Sequence, residues 1–264
     1  MLKIIIPTSI LFVWFLSAAL GPWLPLQPNH IILPNMLESP SLIEWLGYDD
    51  LGRPILDRLI LGARTSFLVS VGVISISLVV GTLIGVLSGW FGGYIDLIIV
   101  RIMDIFLAFP GILLAIALSG ILGPGIDNVV FALSVVGWVG FARLSRAQTL
   151  SLKNREHVLA AVALGARTWR ILRYHIMPLL LAPLLIEATF GIAGVVIAEA
   201  GLSFLGLGVQ PPMASWGSMI KDGTSYMLMA PHMVLAPGLA LLLIVLSVNI
   251  LGDKLRDRLD VHSR

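Results

Sequence analysis

Glu187 and Glu199 are carboxylates set in one long apolar run, and Arg101 and Asp104 lie three residues apart in another. An ionised side chain facing lipid costs roughly 2.5–3.5 kcal/mol on insertion scales, so all four should face protein or water, which makes them candidates for a translocation path or a gate. On a helix, Arg101 and Asp104 can pair along one face. A hydrogen-bonded role in helix packing suits the two glutamates equally. Other chemistry is not encoded. His30, His157, His175, His232 and His262 show neither H-x-x-x-H nor H-E-x-x-H spacing for a metal. No G-x-S-x-G elbow accompanies the serines, no G-x-x-x-x-G-K-[ST] loop cradles ATP, and no cysteine exists to be a nucleophile, metal ligand or disulfide partner.

The elements that must hold these residues are membrane spans. The 264 residues are 58% hydrophobic and 12% charged, with mean hydropathy +0.97, against about 25% charged residues in a soluble domain. A helix needs roughly 20 mostly apolar residues to cross a hydrocarbon core of about 30 Å, where lipid offers the backbone no hydrogen-bond partner. Six such runs are present, Ile4 to Leu20, Ser66 to Trp90, Leu97 to Leu122, Val129 to Leu144, Leu179 to Ala200 and Met233 to Leu251. The expected fold is therefore an all-α polytopic membrane protein of about six helices. Lys3, the first apolar run and the small residues Ser17, Ala18 and Ala19 also imitate a secretory signal peptide, but the run exceeds the usual length of roughly 7–15 residues.

Basic residues set the orientation. Apart from Arg101, four lie in the odd-numbered loops (Arg53, Arg58, Arg64, Lys221), against twelve on the other side. Those twelve are Lys3, seven in the fourth loop from Arg143 to Arg173, and Lys254, Arg256, Arg258 and Arg264 in the tail. The excess places both termini and the fourth loop in the cytoplasm of a cell-membrane protein. The net charge of +2 comes from such membrane-flanking residues, so nucleic acid is a poor partner.

The fourth loop, Ser145 to Pro178, should fold. REHVLAAVAL, from Arg155 to Leu164, favours a helix with Val158, Ala161, Val162 and Gly165 on one face, and Gly165 reads as its stop. A second short helix from Thr168 to Ile176 sets Trp169, Leu172 and Ile176 on one side, Arg170 and Arg173 elsewhere, and ends at Pro178. Two such helices make either a knob that enters a groove on a cytosolic partner or a basic connector lying on the bilayer surface.

LAAVALG, from Leu159 to Gly165, followed after nine residues by His175-Ile176-Met177-Pro178, resembles the EAA loop of type I ABC importer permeases. Trp45 to Ser66, GWFGGYID (Gly89 to Asp96), MDIFLAFP (Met103 to Pro110), Ala198 to Gly223 and LGDKLRDRLD (Leu251 to Asp260) are similar to sequences of the dipeptide, oligopeptide and nickel branch, in its C-type permeases. Two positions depart from the pattern: Leu159 stands where Glu is usual, and Met177 where Leu is. Glu156, one turn earlier, is the nearest carboxylate that could replace the missing one.

The resemblance implies a permease without catalytic residues, working with a second homologous permease, two cytosolic ATPases and an extracytoplasmic solute-binding protein. ATP and magnesium would bind to the ATPases, and this chain would bind no cofactor. Glu156, Leu159, Ala160, Ala161, Gly165, His175 and Pro178 would form the ATPase-coupling loop. Asp49, Asp50, Arg53, Pro211, Pro212 and Trp216 would belong to outer loops that meet the binding protein. The expected division is an N-terminal helix and external loop over 1–62, a permease domain over 63–255 and a tail over 256–264. Glu187, where relatives often carry Gln, would recognise the amino terminus of a peptide or a cation if it lines the path. A stand-alone ion-coupled carrier would instead show paired broken-helix repeats, and none is evident. An intramembrane enzyme lacks its nucleophile or metal.

Overall fold

A computed structural model describes residues 2–259, and the tail beyond, with His262 and Arg264, lies outside the described residues. Within these residues every regular element is helical, apart from an isolated bridge between Tyr48 and Pro54. The helices are α1 Leu2–Leu20, α2 Ile55–Phe91, α3 Gly93–Leu107, α4 Gly111–Leu122, α5 Ile126–Leu152, α6 Glu156–Ala163, α7 Thr168–Ile171, α8 Met177–Phe204, α9 Trp216–Thr224 and α10 His232–Leu259. Five segments are long and apolar enough to cross a membrane singly, and α3 with α4 forms a bent pair that qualifies together.

The relation between α2 and α5 shows how that pair is used. Neighbours of successive α2 glycines climb α5 in the same order: Val130 beside Gly72, Trp138 beside Gly81, Ala142 beside Gly85 and Arg146 beside Gly89. The two helices therefore run parallel. A chain that ends α2 at one side of the bundle and starts α5 at the other must cross back between them, so α3 and α4 together make one broken crossing. Counted this way, the described residues hold up to six crossings, in keeping with the six hydropathy runs. The 83° bend falls at the break before Gly111, where Pro110 lacks an N–H and its ring disfavours helical backbone at Phe109.

Two boundaries differ from the sequence reading. Helix α2 begins at Ile55 rather than near Ser66 and runs 37 residues, about 55 Å at 1.5 Å per residue. Its first turns are the amphipathic stretch after Pro54, held by the preceding loop, where Asp57 accepts from the Gln27 N–H and Arg58 lies against Asp49. The expected division between residues 62 and 63 falls inside this continuous helix. Pro178 does not end a helix either. It occupies the first turn of α8, where its missing N–H is not needed, and the backbone stays helical from Thr168 to Phe204.

Most of the apolar interior is divided between the two ends of the bundle. At the end holding the α6 loop, Val158, Ala161, Ile171, Ile176 and Leu180 pack with Val86, Phe141 and Leu152. At the opposite end, Trp14, Ile55, Trp216, Met219 and Met233 form a second core. Trp14 and Trp216 there donate through Nε1 to the carbonyls of Ala63 and Leu59, both at 3.0 Å.

Candidate functional site: a projecting loop and a charged membrane face

Arg155 precedes α6 in extended backbone, and α6 closes in a glycine stop. Gly165 takes φ +78°, its N–H reaches the Val162 carbonyl at 2.9 Å, and the Ala166 N–H reaches that of Ala161 at 3.0 Å. This is the paired hydrogen bonding of a Schellman motif, and it satisfies carbonyls that the helix end would leave open. After the reversal α7 makes one turn, and Leu172–Ile176 continue as a π-turn into α8.

Inward, Val158, Ala161, Ile171, Leu172 and Ile176 are buried. Outward, Leu159, Val162, Leu164 (87% exposed) and Trp169 (67% exposed) present large apolar groups. The expectations for Val162 and Trp169 are corrected, because both face out. The π-turn holds an extra residue per turn, so a 3.6-residue reading from Leu172 and Ile176 back to Trp169 assigns the wrong face. Glu156 opens α6, and Glu156, Ala160, Gly165 and Pro178 are all exposed, while His175 is half-buried beside His157, with ring centroids 6.2 Å apart.

Outside the core, several ionisable groups of the long helices lie near one another. Arg101 and Asp104 are both exposed on α3 and pair at 3.8 Å. Asp104 and Arg143 of α5 line one hollow with Gly140. Close to Gly140 lies Glu187 of α8, whose Oε1 would stand 3.2 Å from a Cβ added there. Glu187 is exposed and has no salt-bridge partner among the described residues. Asp104 of α3, Arg143 of α5 and Glu187 of α8 thus gather around Gly140, on a surface that cannot rest against hydrocarbon without a large cost.

Glu199 is placed differently. It is fully buried and accepts hydrogen bonds from Ser66 Oγ of α2 at 2.9 Å and from Ser203 Oγ at 2.8 Å. In this arrangement it joins two helices and does not line the charged face. Of the six residues expected to meet the binding protein, Asp49, Arg53 and Trp216 are turned inward. Asp49 and Arg53 are buried and joined at 2.6 Å, with Arg58 3.4 Å from the same carboxylate and Asp50 3.5 Å from Arg53. Trp216 is buried, whereas Pro211 and Pro212 are exposed and joined by a cis peptide bond.

Two features went unread in the sequence. Asp96, in the first turn of α3, accepts from Arg146 Nε at 2.5 Å and Nη2 at 2.7 Å and from Ser88 Oγ at 2.5 Å, so one carboxylate ties α2, α3 and α5. Gly81, Gly85 and Gly89 line the α2 contact with α5, and a Cβ on either of the first two would collide with α5 backbone carbonyls. The G-x-x-x-G-x-x-x-G spacing was the available signal for this seam, since small residues at that interval let membrane helices approach closely.

The comparisons agree with this architecture. The family described as "Binding-protein-dependent transport system inner membrane component" matches residues 81–261. The chain is 44% identical over 226 residues to the dipeptide transport system permease protein DppC of Alkalihalophilus pseudofirmus, covering 86% of this chain and 74% of that protein. It is 43% identical over 232 residues to the glutathione transport system permease protein GsiD of Pectobacterium atrosepticum, covering 88% and 77%. With the di/tripeptide transport system permease protein DppC of Pseudomonas aeruginosa the identity is 41% over 250 residues, covering 92% and 82%. Among solved structures, an inward-facing MetNI methionine ABC transporter chain superposes with TM-score 0.64 at 19% identity, covering 78% of this chain and 98% of that one, which supports the shared fold. The chain belongs to the binding-protein-dependent transport system inner membrane components: it is a multi-pass, non-catalytic permease subunit of an ATP-driven ABC importer, whose ATPase and solute-binding protein are separate partners.

Proposed function

We propose that this permease imports short peptides as one half of a heterodimer with a second, homologous permease, served by two cytosolic ATPases and an external binding protein. The names of three similar permeases, for dipeptides, di/tripeptides and glutathione, support the substrate class. The observation that carries the coupling role is the α6–α7 loop, which holds Leu159, Val162, Leu164 and Trp169 outward on a packed base. Apolar groups of this size presented together mark an interaction surface. Glu156 supplies the carboxylate missing at Leu159, and Ala160 and Gly165 keep the outward surface shallow enough for close docking.

By the excess of basic residues, the loop end is cytoplasmic together with both termini. ATP and magnesium bind to the ATPases, and no cofactor binds to this chain. ATP-driven closure of the ATPases pulls on α6 and α7, and the unbroken helix from Thr168 to Phe204 transmits the movement to the charged face. The test is uptake of a labelled dipeptide by liposomes holding the purified complex. Accumulation should require both ATP and the binding protein, whereas uptake driven by a proton gradient without ATP would sink the reading.

A further inference from the structure

Glu187 lines a hollow of about 280 Å³ where α4, α5 and α8 meet over α2. Gly191 and Gly194 follow Glu187 at one and two helical turns on α8, Gly137 faces them from α5, and Gly111 closes the α4 side. The floor includes Ser77, whose hydroxyl is buried and without a hydrogen-bond partner among the described residues. Its Oγ would lie 2.7 Å from a Cβ added to Gly137, so the glycine keeps space open over the hydroxyl. Five hydroxyls are buried without a partner among the described residues, and Ser77 is the one of them that lines this hollow, where a ligand or a water could meet it.

The hollow therefore offers one carboxylate and one unmet hydroxyl between otherwise apolar walls. Glu187 lies ten residues into α8, about 15 Å along the helix from the loop end, which is within the membrane. A group with several N–H donors, a positive charge and little bulk matches this lining, and a primary ammonium has all three. We propose that Glu187 and Ser77 form a transit site for the ammonium group of a substrate crossing the permease. The inference rests on the peptide-import reading, in which that group is the amino terminus.

The chain contains no cysteine, so Gly194→Cys gives a single reporter in the hollow, at a position where an added Cβ meets nothing within 4 Å. The assembled transporter in liposomes is treated with a trimethylammonium or a sulfonate methanethiosulfonate, and the mass added to this chain is followed over time. With Glu187 present, the cationic reagent should gain roughly tenfold or more over the anionic one relative to their rates with a free thiol. Glu187→Gln should abolish that preference, and Glu187→Asp should keep most of it. A dipeptide with a free amino terminus should slow labelling during turnover in the Glu187 background. Equal relative rates in that background, or no labelling by either reagent because the second permease fills the hollow, would overturn the proposal.

Dipeptide uptake in the same vesicles separates the two claims. Glu187→Gln should reduce ATP-dependent uptake at least tenfold, with Glu187→Asp restoring part of it. If no dipeptide enters with either carboxylate, the peptide reading fails, whatever the labelling ratio. If uptake is ATP-dependent and Glu187→Gln leaves it unchanged, the transit site alone fails.

Discussion

Arg146 grips both carboxylate oxygens of Asp96, from Nε at 2.5 Å and Nη2 at 2.7 Å, and so fastens the loop end of α5 to the first turn of α3. The forked geometry matters as well as the charge, since lysine cannot reproduce two parallel N–H donors. Arg146→Lys should therefore destabilise the protein by about 1–2 kcal/mol. A double-mutant cycle with Asp96→Ala and Arg146→Ala should give a coupling of about 1–3 kcal/mol, read from thermal unfolding in detergent. Strict additivity of the two single changes would show that the fork contributes nothing.

At the α2–α5 seam, Gly85→Ala should be costly although it adds only a methyl group, because the new Cβ would collide with the Ala142 carbonyl. We expect a loss of about 1–3 kcal/mol from the forced shift. Gly120→Ala on α4 is the control, because a Cβ there meets nothing within 4 Å, and relief of glycine's backbone entropy should leave stability equal or slightly higher. Equal melting temperatures for both variants would contradict the close approach.

Gly165 stands in open space, so its substitution tests backbone conformation and docking separately. At φ +78° an alanine should cost about 1–2 kcal/mol, felt as faster amide exchange across α6 and α7 and little change elsewhere. Gly165→Asn should be milder, since asparagine tolerates that region better. Exchange that rises equally throughout the protein would mean that the loop is not an independently anchored unit.

Asp222, on α9 at the end opposite the loop, is held above the ordinary carboxylate range chiefly by burial and then by Asp50, against the pull of Arg58 and Arg53. The folded state therefore keeps this proton to a higher pH than the unfolded chain does, and between the two values stability falls as pH rises. Asp222→Asn should raise the melting temperature near pH 7, with the gain shrinking as pH approaches 4. A lower melting temperature for the variant at neutral pH would show that attraction to the arginines dominates.

The crossings were legible because twenty apolar residues in sequence have few other uses, and the EAA-like spacing marked the segment that folds as α6 and α7. The missed details depend on contacts between distant segments. Nothing local distinguishes Glu199, clasped by Ser66 and Ser203, from Glu187, which stands open to a hollow. Asp49 and Arg53 were expected in a loop that meets the binding protein, and only the return of α2 beneath them, bringing Arg58 to the same carboxylate, buries both. Trp169 was misassigned because a single π-turn cannot be read from hydrophobic spacing.

Coupling through the α6–α7 loop is most directly tested by tagging the carboxyl end, extracting the chain from its native membrane in mild detergent and weighing what co-purifies. The account predicts an ATPase and a second permease in fixed ratio. It further predicts that Leu164→Asp, a change on the exposed surface, releases the ATPase and leaves the second permease and the melting temperature unaltered. A variant that retains its ATPase in full would contradict docking at this loop, and a chain that purifies alone and transports without ATP would contradict the whole account.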